Sequence, residues 1–312
     1  MPYSPLKASR ISRSQWLLTS LFLALGILST ASSPSPSDAH FQPMVLEAEV
    51  WTQNRAPRIP NQEDIAGEAV PMDAFGVKEQ LDRELVVNTY HHSSTMMYLK
   101  RASRWFPVIE PILEEEGIPE DLKYLAVIES GLDQVVSPAG AAGFWQFMKG
   151  TAPEYGLFVN AEVDERYHVE KATRAACAYM RESKEEFGSW ALAAASYNMG
   201  KAGVRRELKE QGVSTYWDLH LNSETARYVY RLLAIKAIFE SPGSFGFELH
   251  KDALYHPYET RTLWVRERIA DWAAFAQSEG SNLKALKILN PWLRRDQLTS
   301  VPGDSLAVLL PR

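Results

Sequence analysis

The chain has 312 residues, of which 46% are hydrophobic and 23% are charged, so most of it is expected to be globular rather than disordered. Its formal net charge is −6. An acidic chain offers little basic surface for neutralising phosphates, which argues against nucleic-acid binding. The single cysteine, Cys177, excludes an intramolecular disulfide and a cysteine-based metal site. Its position in an apolar helical run predicts a buried side chain.

The first 31 residues have the pattern of an export signal. A basic segment precedes an apolar run at residues 16–28, and small residues follow at positions 29–31. The apolar run is shorter than the ~20 residues that a membrane-spanning helix needs, and an uncleaved membrane anchor is the alternative interpretation. No cysteine follows the run, so a lipoprotein is not expected. Residues 32–77 are rich in Ser, Pro and Asn without a sustained period, which predicts an irregular arm or linker.

Residues 78–245 are predicted to form a mainly α-helical domain, because apolar residues recur there at helical spacing. The second helix contains Pro107 and Pro111, which are expected to bend or divide it. Thr151 is a candidate N-cap for a short helix. Ser189 is one for a helix that is nearly all Ala and Leu and is therefore expected to be fully buried. Two helices are predicted to start at residues 78 and 119. Six further helices are predicted over residues 95–113, 151–156, 172–187, 190–197, 201–210 and 223–240.

A different pattern begins after Pro242-Gly243, where a domain boundary is predicted. Residues 260–265 favour a strand, and residues 269–277 and 283–289 favour helices. Residues 305–310 form an apolar run typical of a strand. The order strand, helix, helix, strand predicts a small α+β module over residues 255–312.

Residues 124–147 contain the strongest candidate for a catalytic group. An apolar helical run ends on Glu129, and a turn-rich loop with Gly131, Gly140 and Gly143 follows before the chain becomes apolar again. A carboxyl group among apolar side chains is costly to ionise, so its pKa rises and it can donate a proton near neutral pH. The alternative is a glutamate at a helix end that faces solvent.

Polar residues that could flank this acid occur at two other places. Gln146 lies within an apolar run and is interpreted as an amide donor that orients a substrate, or else as a core amide bonded to the backbone. Tyr197 and Asn198 end the buried helix next to Gly200. A helix C-terminus alone would explain Asn198 and Gly200, which leaves Tyr197 as the stronger candidate for a role in a cleft.

A second catalytic carboxylate is not evident, although glycosidases ordinarily use two. Asp133 is best explained as a residue that stabilises the helix end or the loop. Asp164 and Glu165 with Arg166 are expected to form a surface or loop-anchoring ion cluster. The sequence shows no metal-ligand spacing, Ser-His-Asp order or phosphate-binding glycine loop, so neither a metal nor another cofactor is expected.

Four motifs, taken in order, resemble those of the lytic murein transglycosylases, whose catalytic domain has a fold similar to goose-type lysozyme. The motifs are Glu129-Ser130, SPAGAAGFWQF at residues 137–147, ASYNMG at residues 195–200 and ETARYVYRLLAIK at residues 224–236. The resemblance covers about residues 85–245 and is closest to the membrane-bound type D branch. It implies a lysozyme-like helical fold for residues 78–245.

The resemblance also implies an activity and a set of site residues. Glu129 would be the single catalytic acid and base, which cleaves peptidoglycan between N-acetylmuramic acid and N-acetylglucosamine without hydrolysis and leaves 1,6-anhydro ends. One carboxylate suffices because the attacking hydroxyl belongs to the substrate itself. The substrate-binding residues would be Ser137, Gln146, Met148, Tyr197, Asn198, Glu224 and Tyr228. Peptidoglycan would be the partner of the exported chain in the periplasm, and any membrane contact would come from an uncleaved signal.

Two features depart from the type D pattern. The lipidation cysteine common in that branch is missing, and the C-terminal module resembles LysM in outline only. Residues 283–293 match the second helix and the Asn-Pro turn of LysM, whereas its usual Gly-Asp-Thr-Leu opening is absent. Sugar binding and structural packing are therefore both open as roles for residues 255–312.

Two other functions are compatible with these residues. One is a hydrolytic muramidase that uses Glu129 with Asp133 or Asp164, and the other is a non-catalytic cell-wall-binding or scaffold protein with the same fold. The mass of the reaction products separates hydrolysis from lytic cleavage. The scaffold hypothesis requires that Glu129→Gln leave cell-wall turnover unchanged.

Overall fold

The computed structural model describes residues 56–312, so the predicted signal (residues 1–31) and the first part of the predicted arm (residues 32–55) lie outside the described residues. Within the described range the chain is mainly α-helical, with two small antiparallel sheets, and the predicted fold class is confirmed. The helices are α1 Val77–Tyr90, α2 His92–Glu115, α3 Lys123–Ser130, α4 Val169–Phe187, α5 Trp190–Met199, α6 Lys201–Gln211, α7 Thr225–Glu240, α8 Trp272–Ser278 and α9 Leu283–Leu289. The strands are β1 Asp64–Ile65, β2 Glu68–Ala69, β3 Thr260–Val265 and β4 Leu306–Pro311.

Helix α5 lies in the core of the helical domain, where α4, α6 and α7 pack against it. Residues 191–196 are buried, whereas Trp190 and Tyr197 near its two ends are partly exposed. A helix that is apolar on every side has no face suited to solvent, which explains this burial. The predicted cap is confirmed, because the Ser189 side chain accepts a hydrogen bond from the Leu192 N–H.

Helix α2 runs without interruption through Pro107 and Pro111, so the predicted division does not occur. Both prolines are exposed. They are four residues apart and therefore lie on the same side of the helix, where the carbonyl groups that lose a donor can bind water instead. The buried face, which includes Ile109 and Ile112, packs on the rest of the domain and keeps the helix continuous.

At two predicted helix starts the structure has a 3-10 turn. Thr151 has a helical backbone conformation and makes no capping hydrogen bond, because a capping side chain needs an extended backbone at that position. The segment after it is the 3-10 turn Ala152–Tyr155, which ends at Gly156. Another 3-10 turn, Glu120–Leu122, separates the predicted start at residue 119 from α3.

The described part of the predicted arm is residues 56–77, of which the last already belongs to α1. Residues 56–76 pack on the helical domain. Strands β1 and β2 form a short hairpin in which Ile65 is fully buried. The Glu68 carboxylate accepts hydrogen bonds of 2.9 and 2.8 Å from the Trp190 N–H, so it binds the positive end of α5. Lys236 of α7 donates to the Asp64 carbonyl at 3.1 Å. These contacts fix the segment in place even though it has little regular structure.

The C-terminal module has the predicted order of strand, helix, helix and strand. Strands β3 and β4 are antiparallel, with Thr260 opposite Pro311. Helix α8 starts three residues after the predicted position because Asp271 caps it, accepting hydrogen bonds from the N–H groups of Ala273 and Ala274. The domain boundary near residue 242 stays a prediction. None of the helices in residues 56–312 has both the length and the hydropathy of a membrane span.

Candidate active site

Glu129 lies in the last turn of α3, two residues before Gly131. Gly131 has a left-handed backbone with φ of 62°, and its N–H donates to the Val127 carbonyl at 2.8 Å. A Cβ atom at this position would lie 2.4 Å from a ring carbon of Tyr98. Only glycine fits both the conformation and the space, so the helix ends here and the chain turns away directly after Glu129.

The Glu129 carboxylate is held by a residue distant in sequence. The Tyr228 hydroxyl donates a hydrogen bond to Oε1 of Glu129. Tyr228 lies on α7 and is only 2% exposed. Glu129 is therefore not the fully solvated glutamate of the alternative interpretation.

Burial raises the pKa of Glu129 to about 7, and the negative charge of Glu224 acts in the same direction. The hydrogen bond from Tyr228 and the positive charge of Arg231 lower the pKa, because both favour the ionised carboxylate. Near neutral pH such a group is present in both protonation states. It is therefore suited to donate a proton in one step and accept one in the next.

Two tyrosine hydroxyls stay protonated beside this acid. Burial raises the pKa of Tyr197 and of Tyr228 well above the ordinary value, and the charge of Glu129 adds to both rises. Tyr197 donates to the Trp145 carbonyl at 2.7 Å. Tyr228 is thus a permanent donor to Glu129, and Tyr197 connects α5 to the loop that follows Glu129.

Residues 131–147, called the site loop below, are closed by their own polar groups. The Ser137 hydroxyl oxygen accepts a hydrogen bond of 3.0 Å from the Ala141 N–H, and the Ser137 N–H donates to the Ala141 carbonyl at 2.9 Å. The Gly143 N–H donates to the Val135 carbonyl at 3.0 Å. Ser137, a predicted substrate-binding residue, therefore has a structural task in this turn.

The Gln146 side chain is oriented by its unusual backbone conformation, in which φ is 48°. Its Nε2 atom donates to the Gly143 carbonyl at 2.7 Å and to the Val135 carbonyl at 3.1 Å. Both amide hydrogens are thus engaged by the site loop, as in the alternative interpretation of a backbone-bonded amide. The group that this arrangement leaves for a ligand is the acceptor Oε1, not the predicted donor.

Polar contacts join the ends of α5 and α7 next to the acid. Asn198 Nδ2 donates to Oε1 of Glu224 at 3.3 Å, and the Thr225 hydroxyl donates to Oδ1 of Asn198 at 2.7 Å. The charge of Glu224 also acts on Glu129. The structure therefore brings the predicted residues of α3, α5 and α7 together, and Asn198 does more than end its helix.

Several groups at the site were missed by sequence reasoning. Val135 and Val136 are exposed, so the site loop presents apolar side chains to solvent, next to the exposed predicted residue Met148 that follows the loop. The sequence signal for this exposed apolar surface was the occurrence of two β-branched residues in a turn-rich segment. Arg231 was also missed, although it lies one helical turn from Tyr228 inside a quoted motif.

The remaining acidic candidates hold loops in place. Asp133 pairs with Arg101 at 2.6 Å, which agrees with its predicted role of stabilising the loop. Asp164 is buried and pairs with Arg166 at 2.7 Å. Glu165 is buried and accepts from the Phe158 N–H at 2.8 Å. The predicted ion cluster thus anchors loops, but it is buried rather than on the surface.

Neither a thiol nor a metal site contributes to this chemistry in the described part of the chain. Cys177 is buried in α4 as predicted, and burial raises its pKa to about 12, so it is a neutral thiol. Residues 56–312 contain no cluster of His, Cys, Asp and Glu that could hold a metal ion.

Comparisons with known proteins find two domain models and two relatives that match parts of the chain. Residues 107–219 match the model of the transglycosylase SLT domain, and residues 261–312 match that of the soluble lytic transglycosylase C-terminal LysM-like domain. The chain is 32% identical over 179 residues to the membrane-bound lytic murein transglycosylase D of Escherichia coli K12, and equally to the protein of that name from Escherichia coli O6:H1 (strain CFT073). These alignments cover 55% of the chain and 39% of each relative. The chain therefore contains an SLT domain and a LysM-like domain, and the resemblance inferred from its motifs is confirmed.

Proposed function

We propose that this chain, which contains a transglycosylase SLT domain, is an exported lytic transglycosylase of peptidoglycan. It cleaves the β-1,4 bond between N-acetylmuramic acid and N-acetylglucosamine and forms 1,6-anhydro-N-acetylmuramic acid ends. The observation that carries the proposal is the state of Glu129, a carboxyl group with a pKa of about 7 that accepts a hydrogen bond from the buried Tyr228 hydroxyl. Such a group can serve as acid and base in turn.

In the first step, protonated Glu129 donates its proton to the glycosidic oxygen. The bond from this oxygen to C1 of the muramyl sugar breaks, and its electron pair leaves with the oxygen, so positive charge develops at C1. Glu129 becomes a carboxylate at the same time. The Tyr228 hydroxyl and the positive charge of Arg231 stabilise that carboxylate, since both favour the ionised form.

In the second step, the C6 hydroxyl of the same muramyl sugar attacks C1, and its proton passes to the Glu129 carboxylate. One bond to C1 has broken and one has formed, the proton has returned to Glu129, and no water has been consumed. The nucleophile is part of the substrate, so the enzyme needs no second carboxylate to activate it.

In this proposal the glycan strand contacts four other predicted residues, Met148, Gln146, Asn198 and Glu224. Met148 offers an exposed apolar surface, and Gln146 offers its acceptor Oε1. Asn198 and Glu224 lie together at the edge formed by α5 and α7. Ser137 acts on substrate through the turn that it closes.

A hydrolytic muramidase would use a second carboxylate to activate water or to form a covalent intermediate. The two carboxylates considered for that role are held elsewhere, Asp133 by Arg101 and Asp164 by Arg166. These ion pairs favour the mechanism with a single acid.

Product analysis with purified sacculi tests the proposal. The full chain should release anhydro-muropeptides, each one water lighter in mass than the corresponding hydrolysis product. Glu129→Gln should lower the rate by about 10² to 10⁴ with unchanged circular dichroism, while Glu185→Gln, at an exposed position on α4, should keep full activity. Reducing-end products would contradict lytic cleavage, and an active Glu129→Gln variant would contradict the role of Glu129.

The export proposal has its own test. Removal of residues 1–31 should leave the protein in the cytoplasm after cell fractionation, while the purified protein keeps its activity on sacculi. A chain that still reaches the periplasm without these residues would contradict the assignment of the signal.

A further inference from the structure

Arg166 binds two backbone carbonyls of the site loop, one in its middle and one at its end. Its Nη1 atom donates to the Gly140 carbonyl at 2.9 Å and to the Phe147 carbonyl at 3.1 Å. Its Nε and Nη2 atoms donate to the two carboxylate oxygens of Asp164 at 2.9 and 2.7 Å. Arg166 and Asp164 are both buried, so this fork is rigid and shielded from solvent. The arginine thus fixes the loop on both sides of Gln146.

The backbone around Arg166 contacts the same loop. A Cβ atom at Gly143 would lie 1.9 Å from the Arg166 carbonyl oxygen, so the backbones of these two segments are in contact at that point. The Gln134 side chain donates to the Tyr167 carbonyl at 2.9 Å. Residues 162–167, called the support segment below, therefore hold the beginning, the middle and the end of the site loop.

The support segment is itself held by the C-terminal module. The Asp164 N–H donates to the Trp292 carbonyl at 2.9 Å, and the Arg294 N–H donates to the Glu162 carbonyl at 2.7 Å. The Glu162 carboxylate accepts hydrogen bonds of 2.8 and 2.9 Å from the backbone N–H and the hydroxyl of Thr299. The segment is thus paired with the module through its backbone as well as its side chains.

Apolar contacts join the same three parts of the chain. Ala142 of the site loop and Val163 and Tyr167 beside Arg166 belong to one hydrophobic cluster with the core of the module, which includes Trp272 and Trp292. Close-packed interiors transmit strain, so this cluster offers a path from the module to the site loop.

We propose that the C-terminal module positions the site loop beside Glu129, and that Arg166 is the positioning residue through which it acts. The inference rests on the proposed function and assigns the module a part in turnover that is separate from any binding of sugar. Trp145, whose carbonyl accepts the Tyr197 hydrogen bond, lies in the sequence between Gly140 and Phe147, the two residues whose carbonyls Arg166 binds. A small displacement of the support segment would therefore move the wall of the site.

Kinetics on two substrates test this proposal in the full chain. One substrate is a soluble tetrasaccharide of alternating N-acetylglucosamine and N-acetylmuramic acid, and the other is intact sacculi. Arg166→Lys should lower kcat on both by about tenfold or more while KM changes little, since small misplacement at a site costs up to ~10² in rate. Glu162→Ala changes a partly exposed contact with the module and should lower kcat severalfold on both substrates. This second variant keeps the test valid if Arg166→Lys fails to fold. Lys284→Ala, at an exposed position on α9, is the matched control and should change neither constant.

Amide hydrogen exchange tests the coupling without substrate. The amides of residues 134–147 should exchange faster in Glu162→Ala than in the wild type or in Lys284→Ala. Unchanged exchange in this segment would overturn the proposal, as would faster exchange with an unchanged kcat on the tetrasaccharide. A loss confined to sacculi and expressed in KM would also overturn it, because that result describes a sugar-binding module. If the wild type makes no anhydro product, the proposed function fails, whatever the exchange data show about the coupling.

Discussion

The substitution Tyr228→Phe tests how Glu129 obtains its pKa. It removes the hydroxyl that donates to Oε1 of Glu129 and leaves the buried ring in place. A hydrogen bond to a charged group contributes about 1.5–3 kcal/mol. Because this bond favours the carboxylate, its loss should raise the pKa of Glu129 above its present value by about 1 to 2.

The sign of this change decides the expected pH dependence. The first step needs protonated Glu129, so kcat/KM of the wild type should fall as the pH rises through about 7. In Tyr228→Phe the fall should occur at higher pH. The maximal rate should drop by about tenfold or more, because the carboxylate that forms when the glycosidic bond breaks loses its donor.

The assay is the rate of anhydro-muropeptide release, measured by mass spectrometry from about pH 5 to pH 9. Tyr216→Phe is the matched control, since this buried hydroxyl donates to the carbonyls of Thr225 and Ala226 at 3.0 and 2.8 Å. It should cost about 1 kcal/mol of stability without moving the pH profile. A profile of Tyr228→Phe that stays in place, or moves to lower pH, would refute the reasoning.

Three further variants test the site in other ways. The raised pKa of Glu129 makes the wild type lose up to about 3 kcal/mol of stability as the pH rises from about 4.5 to 7. The free energy of unfolding of Glu129→Gln, measured in urea, should not show this loss. If it depends on pH in the same way as that of the wild type, the result would argue against burial of the carboxylate. Gly143→Ala should lower the Tm by several degrees, because the new Cβ meets the Arg166 carbonyl at 1.9 Å where φ is 80°; an unchanged Tm would contradict this contact. Asp133→Asn removes a half-exposed ion pair with Arg101, so turnover should stay within about twofold; a 10²-fold loss would instead support a muramidase.

Most of the fold follows from local sequence signals. The helix capped by Ser189 and the module with β3, α8, α9 and β4 were predicted because periodicity and caps are properties of neighbouring residues. Where the structure differs from these predictions, the reason lies in contacts and backbone conformations that neighbouring residues do not indicate. Pro107 and Pro111 are tolerated because both face solvent while the other face of α2 is packed, and Thr151 does not cap because its backbone is helical. Neither fact can be read from nearby residues.

The candidate site depends on contacts between distant residues. Glu129 could be selected from its apolar surroundings, but its hydrogen bond with Tyr228 joins positions 99 residues apart. Only the resemblance to a known family placed Tyr228 near it. The engagement of both Gln146 amide hydrogens depends on a positive φ at a residue other than glycine, which no local pattern indicates.

The role of Arg166 also depends on contacts between distant residues and could not be predicted from the sequence. The sequence predicted an ion cluster at Asp164, Glu165 and Arg166, and it also predicted a separate C-terminal module. That this cluster lies between the site loop and the module follows only from the packing, in which Asp164 is bonded to the Trp292 backbone and Arg166 to the Phe147 backbone.

Cleavage of sacculi in water labelled with heavy oxygen tests the central claim most directly. If Glu129 accepts the proton of the C6 hydroxyl and no water enters the reaction, the new muramyl ends carry no heavy oxygen and have the mass of the anhydro form. Glu129→Gln should release almost none of these ends. New ends that carry one heavy oxygen at C1 would contradict the account, because they would identify water as the nucleophile.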